Sequence, residues 1–256
     1  MPLMPAANGG RPFSRHALEL WLRSPRGRRL LAMETAELAQ LLPEVFGRHV
    51  LQVGSWGHET QLVDSAETLH RAVLGTVRLS GASALIRPDQ LPLLSKSVDA
   101  VVLPHTLEFS PSPHQVLREV GRVLNDRGRV FILGFNPWGW WALRSRLGFK
   151  ARAFMPGAQF WSVGRLADWL QLLDFELTGV RRFSVGFPWS AARSDGEPWQ
   201  WSSLAQPFQE VYLLSAKKRV LPVNRIGQPL ARAQVKPIIG APVGARAQAN
   251  CRNPQP

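Results

Sequence analysis

At 256 residues the chain is long enough for one large domain or two small ones. Its hydrophobic content of 45% is that of an ordinary globular protein, no apolar run approaches the ~20 residues of a membrane span, and its single cysteine, Cys251, excludes an internal disulfide framework and a cysteine-rich metal site. The formal charge of +13 is uneven: no acidic residue follows Glu210, and the eight basic residues from Lys217 onward leave +5 for all that precedes them. That basic stretch, rich in Pro, Ala, Gly and Gln, reads as a solvated, disordered tail, or else as a surface for nucleic acid or an anionic membrane. The opening MPLMPAANGGRPFSR is short of apolar residues and makes no secretory signal, so the cytoplasm is the expected compartment.

Residues 1–13 carry no pattern. His16–Arg23 and Arg29–Leu42 read as two short helices, the second with Leu31, Leu38 and Leu42 on one face. Ser24-Pro25 separates them, with Pro25 suited to a first helical turn. His49–Val53, bounded by Gly47 and Gly54, is the first strand; Leu69–Leu74 is a weak second, and Ala84–Ile86 a short third that ends at Arg87-Pro88. The fourth, Val98–Leu103, carries Asp99 near its start and ends at Pro104-His105. A loop with Glu108 leads into a helix whose Val116, Leu117, Val120, Val123 and Leu124 recur at the 3.6-residue period. The turn Asn125-Asp126-Arg127-Gly128 should stop this helix, and Val130–Gly134 follows as the fifth strand. Trp138–Leu147 reads as a helix. Ser162 can cap another, Val163–Leu173, striped by Val163, Leu166, Leu170 and Leu173. Phe175–Arg182 and Glu210–Ala216 are the last strands. Strand–helix alternation closed by a hairpin-like pair fits an open, doubly wound α/β sheet.

The region from Asp99 to the fifth strand resembles the class I S-adenosylmethionine-dependent methyltransferases in their type 11 form. That family reads D-x-V-x-x-x-x-x-L-E-H at its fourth strand and L-R-E-x-x-R-V-L-x-P-G-G-x-L after it. Asp99, Val101, Leu107 and Glu108 match, Phe109 stands in place of the His, and Leu117, Arg118, Glu119, Arg122, Val123, Leu124 and Gly128 follow at the family spacing. The resemblance implies a Rossmann-like sheet of seven strands, six parallel and the last antiparallel, over residues 45–217. Residues 1–44 would be an N-terminal helical extension and 218–256 the basic tail. It also implies S-adenosylmethionine as cofactor and a small-molecule substrate.

In doubly wound sheets ligands sit at the carboxyl ends of the strands. The first strand and loop, HVLQVGSWGHET, stand against the family's V-L-D-L-G-C-G-x-G. Gln52 replaces the acidic residue, Gly54 and Ser55 keep their places, and Trp56 and His58 stand where glycines belong, with Gly57 between them. Trp56 must either point away from the cofactor or close over the site. No acidic residue lies in His70–Arg78, where one would hold the ribose. After the third strand Leu91-Pro92 matches the family, Arg87 occupies the acidic position, and Asp89 lies two residues on. The implied cofactor contacts are Gln52, Gly54, Ser55, Trp56, Gly57, Asp89, Gln90, Leu91, Pro104 and His105.

On the substrate side the candidates are His105, Asn136 and Trp138. His105 sits at the strand-four rim, as a base or as a histidine hydrogen-bonded for structure; Glu108 would support its loop. Trp138, Trp140 and Trp141 form either a stacking wall for an apolar acceptor or core for the next helix. Phe187, Trp189, Trp199, Trp201 and Phe208 suggest a lid or a membrane-contacting insert. His58 and His105 have no third ligand at diagnostic spacing, so a metal is not expected. Paired carboxylates, a Ser-His-Asp order and a P-loop are absent from the sequence pattern. Methyl transfer needs none of them, because the sulfonium is already activated and the protein mainly aligns the acceptor.

The expected function is methyl transfer from S-adenosylmethionine to a small, hydrophobic or aromatic acceptor. The rival is an inactive protein of the same fold acting as a binding module. A nucleic-acid-binding role through Arg23, Arg26, Arg28, Arg29 and the tail ranks last, because no aromatics interleave with that patch.

Overall fold

The structure is a computed structural model, and it describes residues 21–57, 60–76, 82–139, 142, 158–184 and 209–219. All of these lie within one compact unit, Met1–Val220. Its strands are β1 (His49–Val53), β2 (His70–Gly75), β3 (Ala84–Leu85), β4 (Val98–Pro104), β5 (Leu124–Phe135), β6 (Phe175–Phe183) and β7 (Val211–Lys218). They form one sheet in the order β3-β2-β1-β4-β5-β7-β6. The first five run parallel and β7 pairs antiparallel with both β5 and β6, so a single strand opposes the other six, as the sequence led us to expect.

Strict alternation along the strands makes both faces apolar, as a sheet covered on both sides requires. One face presents Val50, Val102, Phe131, Leu133, Phe135 and Leu213 to helix α1 (Pro25–Leu41), which buries Leu30, Leu31 and Leu38 there. The other presents Leu51, Val53, Val101, Leu103, Val130 and Ile132 to α2 (Pro113–Val123) and α3 (Val163–Leu172). Each fully buried Leu or Val contributes roughly 1.5–3 kcal/mol of apolar burial. The predicted stripe on α2 is the buried one: Val116, Leu117, Val120, Val123 and the following Leu124.

Caps set the helix starts. Ser24 Oγ accepts the Gly27 N–H at 3.2 Å, so α1 starts at Pro25, a turn before the sequence-based start at Arg29. Ser162 Oγ accepts the Arg165 N–H at 3.3 Å and starts α3 as expected. α1, read from sequence as part of an N-terminal extension, is one layer of the fold. Most of His16–Arg23, most of Trp138–Leu147, the aromatics from Phe187 to Phe208, His58 and the tail beyond Arg219 lie outside the described residues.

Two local readings change. Asn125–Gly128 does not separate α2 from a strand at Val130: β5 begins at Leu124, which pairs with Val98 before the register slips and Ala100 meets Arg129. Asp99, at that irregularity, explains it. Its Oδ2 accepts the N–H groups of Arg48 (2.7 Å) and His49 (2.9 Å), and its Oδ1 accepts Asn125 Nδ2 at 2.5 Å, so one carboxylate ties together the starts of β1, β4 and β5. β7 also runs further than expected, to Lys218, whose Nζ donates to the carbonyls of Gly121 (2.7 Å) and Leu124 (3.1 Å) and closes the C-terminus of α2.

Candidate active site

The carboxyl ends of β1 and β4 meet beneath α1. At the β1 end Gln52, fully buried, donates from Nε2 to the carbonyls of Gly54 (3.0 Å) and Trp56 (3.1 Å). An amide in place of the family's acid thus folds the first loop back on itself. Gly54 has φ +107 and Gly57 φ +77, values that side-chain-bearing residues rarely adopt. Gly57 also lies so near α1 that a Cβ there would sit 2.9 Å from Leu31 Cδ1. The Trp56 indole enters the α1 layer, buried, and its Nε1–H donates to Glu34 Oε2 at 2.5 Å.

At the β4 end His105 has φ +49, and its backbone N–H donates to Leu133 O at 3.0 Å. Its side chain is fully buried. Nε2 lies 2.7 Å from Glu34 Oε1 and Nδ1 lies 3.3 Å from Glu108 Oε1. The ring stacks on Phe135 at 3.9 Å between centroids and lies against Trp56 at 4.2 Å. Burial opposes a charge on the ring, but the carboxylates of Glu34 and Glu108 outweigh it and push its pKa up to about 9. Glu108 Oε1 also accepts the Phe135 N–H at 2.9 Å, and Thr106 Oγ1 donates to Val53 O at 2.5 Å, so the β4 loop is tied to both β5 and β1.

The loop after β3 is fixed from below. Arg122 donates to the carbonyls of Leu91 and Leu93, both at 2.9 Å, and Glu119 Oε2 accepts the Leu91 N–H at 3.0 Å. Asp89 takes a hydrogen bond from Arg87 at 2.8 Å, which lowers its pKa, and the Gln90 N–H donates to Arg87 O at 3.0 Å. Arg87, standing at the family's acidic position, is therefore the partner of Asp89.

Beyond β5, Asn136 Nδ2 donates to Gln209 O at 2.8 Å and its Oδ1 accepts the Trp138 N–H at 3.2 Å. Asn136 is buried and shapes the turn, while Trp138 is 66% exposed at its tip. The structure gathers Gln52, Gly54, Ser55, Trp56, Gly57, Pro104 and His105 at the β1 and β4 ends, and it sets Asp89, Gln90 and Leu91 on the β3 loop. Sequence reasoning missed Glu34, which reaches His105 from 71 positions away and left no local signal. Among the described residues, no group of three or more His, Cys, Asp and Glu side chains could hold a metal ion.

S-adenosylmethionine has a zwitterionic amino-acid end, a sulfonium and an adenosine. Gln52 Oε1, Ser55 Oγ and Glu108 Oε2 are buried without a hydrogen-bond partner, all at the β1 and β4 ends. Each such atom costs about 1–3 kcal/mol unless something polar meets it. The Trp56 indole packs in the α1 layer and Leu91 in the opposite layer, so the indole turns away from the adenine-side loop. The residues fit the amino-acid end of the cofactor. Toward the ribose, His70–Thr76 offers no carboxylate.

This sheet order, with β7 antiparallel to its neighbours, is that of the class I methyltransferase fold. A family profile described as a methyltransferase domain matches residues 47–132. A Thermotoga maritima S-adenosylmethionine-dependent methyltransferase, described as a possible histamine N-methyltransferase, shares the fold with a TM-score of 0.58 at 17% identity, over 80% of this chain and 100% of its own. The chain belongs to the class I S-adenosylmethionine-dependent methyltransferase superfamily. Within it the chain is of one family with the uncharacterized protein YafS of Escherichia coli (strain K12), 30% identical over 241 residues that span 93% of this chain and 95% of YafS. The uncharacterized protein Rv2003c of Mycobacterium tuberculosis is 31% identical over 203 residues, 76% of this chain and 69% of its own.

Proposed function

We propose that this protein transfers a methyl group from S-adenosylmethionine to a small, hydrophobic or aromatic acceptor in the cytoplasm. The observation that carries the reading is the set of three buried, unpartnered polar atoms, Gln52 Oε1, Ser55 Oγ and Glu108 Oε2, at the strand ends where this superfamily binds its cofactor. The cofactor, when bound, supplies an already activated methyl group. What remains for the protein is to bind, orient and exclude water.

Gln52, Gly54, Ser55, Trp56 and Gly57 form the first loop that would hold the amino-acid end, with Pro104 and His105 at the rim of β4. Asp89, Gln90 and Leu91 would meet the adenine. With both ring nitrogens engaged by carboxylates, His105 keeps its proton and orients its neighbours rather than acting as a base. The Trp138 ring, exposed beyond β5, would favour an apolar acceptor. Asn136 would shape the acceptor side and Trp138 would flank it. The reading needs neither a metal nor nucleic acid. The aromatic insert or the basic tail would give at most a weak contact with a membrane surface.

One observation favours a second reading, an inactive protein of this fold that serves as a binding module. Asp89 is already paired with Arg87, and no acidic residue lies between His70 and Pro88, where one would hold the ribose. Calorimetric titration of the full chain with S-adenosylmethionine and with its demethylated product separates the two. Saturable heat supports the methyltransferase reading, and none at millimolar ligand supports the module.

A further inference from the structure

The segment that matches the methyltransferase domain begins at residue 47, yet the side chain at the centre of the site comes from before it. Glu34 lies on α1 and is completely buried. Its two oxygens serve two different parts of the site: Oε1 meets His105 Nε2 at 2.7 Å on the β4 end, and Oε2 accepts the Trp56 indole N–H at 2.5 Å in the first loop. One turn earlier on the same helix face, Leu31 packs against Gly57. α1 therefore grips the first loop at two points, and that loop is bounded by the two glycines at φ +107 and +77, Gly54 and Gly57. Loop backbone of this kind is mobile unless something fixes it, and a binding loop that must be ordered by its ligand binds more weakly.

We propose that Glu34 is a positioning residue of the methyl-transfer site, joining the first loop to the β4 end so that the cofactor pocket is complete only with α1 docked. The inference rests on the proposed function above. Two carboxylates bear directly on His105, and a third group stands behind one of them. Glu34 faces His105 from α1, Glu108 faces it from the β4 loop, and Tyr212 of β7 stands near Glu108, where burial and that carboxylate both raise the Tyr212 pKa. His105 holds an outlying backbone conformation because its ring is bound on both edges and stacked on Phe135. Loss of Glu34 would remove one of those edges together with the anchor of Trp56.

The test uses the full chain, labelled with 15N at histidine and tryptophan, as wild type, Glu34→Gln and Glu34→Ala, with the His105 and Trp56 signals assigned from their absence in His105→Gln and Trp56→Phe. Glu34→Gln keeps the volume and removes only the charge, so it reports even where Glu34→Ala fails to fold. In the wild type both ring nitrogens of His105 should carry protons at pH 7.5. In Glu34→Gln burial should prevail, leaving one proton, and the Trp56 indole N–H resonance should shift as its charged acceptor is lost. Affinity for S-adenosylmethionine should fall about tenfold or more in either variant, the scale of one charge-assisted hydrogen bond. A His105 that stays doubly protonated in Glu34→Gln, or an unchanged affinity in a folded variant whose His105 has lost its proton, would overturn the proposal. A wild-type chain that binds no S-adenosylmethionine overturns the proposed function instead, and the ring-nitrogen measurement then judges whether Glu34 holds the β4 end.

Discussion

Arg122 on α2 donates to the carbonyl of Leu91 at 2.9 Å, 31 residues back along the chain, while its neighbour Glu119 takes the N–H of the same residue at 3.0 Å. The L-R-E-x-x-R run is therefore a clamp. Two side chains one turn apart read both backbone groups of Leu91, and Arg122 goes on to the carbonyl of Leu93. Leu91 is the buried apolar residue of the loop after β3, so the motif fixes that loop against α2.

Arg122→Ala should lower stability by about 1–2 kcal/mol, since several partly exposed bonds to backbone are lost together. The effect should be local. Amide hydrogen exchange should quicken across residues 91–97 while the core of β4 and β5 keeps its protection. Unchanged exchange in that loop would show that the clamp does not hold it.

The His105 cluster makes stability depend on pH in one direction. A histidine is ordinarily half-protonated near pH 6.5 in an unfolded chain, and here the folded value is about 9. Raising the folded value above the unfolded one means that the folded state binds the proton more tightly. The stabilisation is then fully present below about pH 6.5 and is lost as the pH climbs through about 9. Urea midpoints measured from pH 6 to 10 should fall across that window in the wild type and stay flatter in His105→Gln. Parallel curves for the two proteins would contradict the assignment.

Gly134 faces Tyr212 across the β5–β7 pair, and a Cβ at that position would collide with the phenol oxygen. Tyr212 is buried and donates to Trp161 O at 3.1 Å, which leaves its ring little room to move. Gly134→Ala should destabilise by about 1–3 kcal/mol through overpacking. Adding Tyr212→Phe, which removes the oxygen, should recover part of that loss. Non-additivity of this sign in thermal denaturation is the expected signature of a direct contact.

What could be read from the sequence was what short-range pattern dictates. The α2 stripe, the Ser162 cap, and β1, β4 and β6 follow from period and capping within a few residues, and the structure keeps them. Asp99 was legible as a family identity but not as a staple, because its partners Arg48 and Asn125 lie 51 and 26 positions away. The turn at Asn125–Gly128 was misplaced for the same reason: the bond to Asp99 draws Asn125 into the start of β5, beside β4. No sequence pattern places Glu34 beside His105 either, since that pairing arises only when α1 lies across the sheet. Trp56, ambiguous from sequence, turns toward α1 because Glu34 supplies an acceptor there.

Cofactor binding at the end of β1 is measured by calorimetric titration with S-adenosylmethionine, run in parallel on the wild type and on Gly54→Val. Gly54 has φ +107, and its N–H donates to Leu74 O at 2.8 Å, so valine would strain the backbone at the point where the first loop leaves β1. The wild type should show measurable, weak binding, because a ribose carboxylate is missing and Asp89 is engaged by Arg87, each contact being worth about 1.5–3 kcal/mol. Gly54→Val should show no binding, with far-ultraviolet circular dichroism near that of the wild type. No heat from the wild type at millimolar ligand, or undiminished binding by Gly54→Val, would contradict a cofactor site at the end of β1.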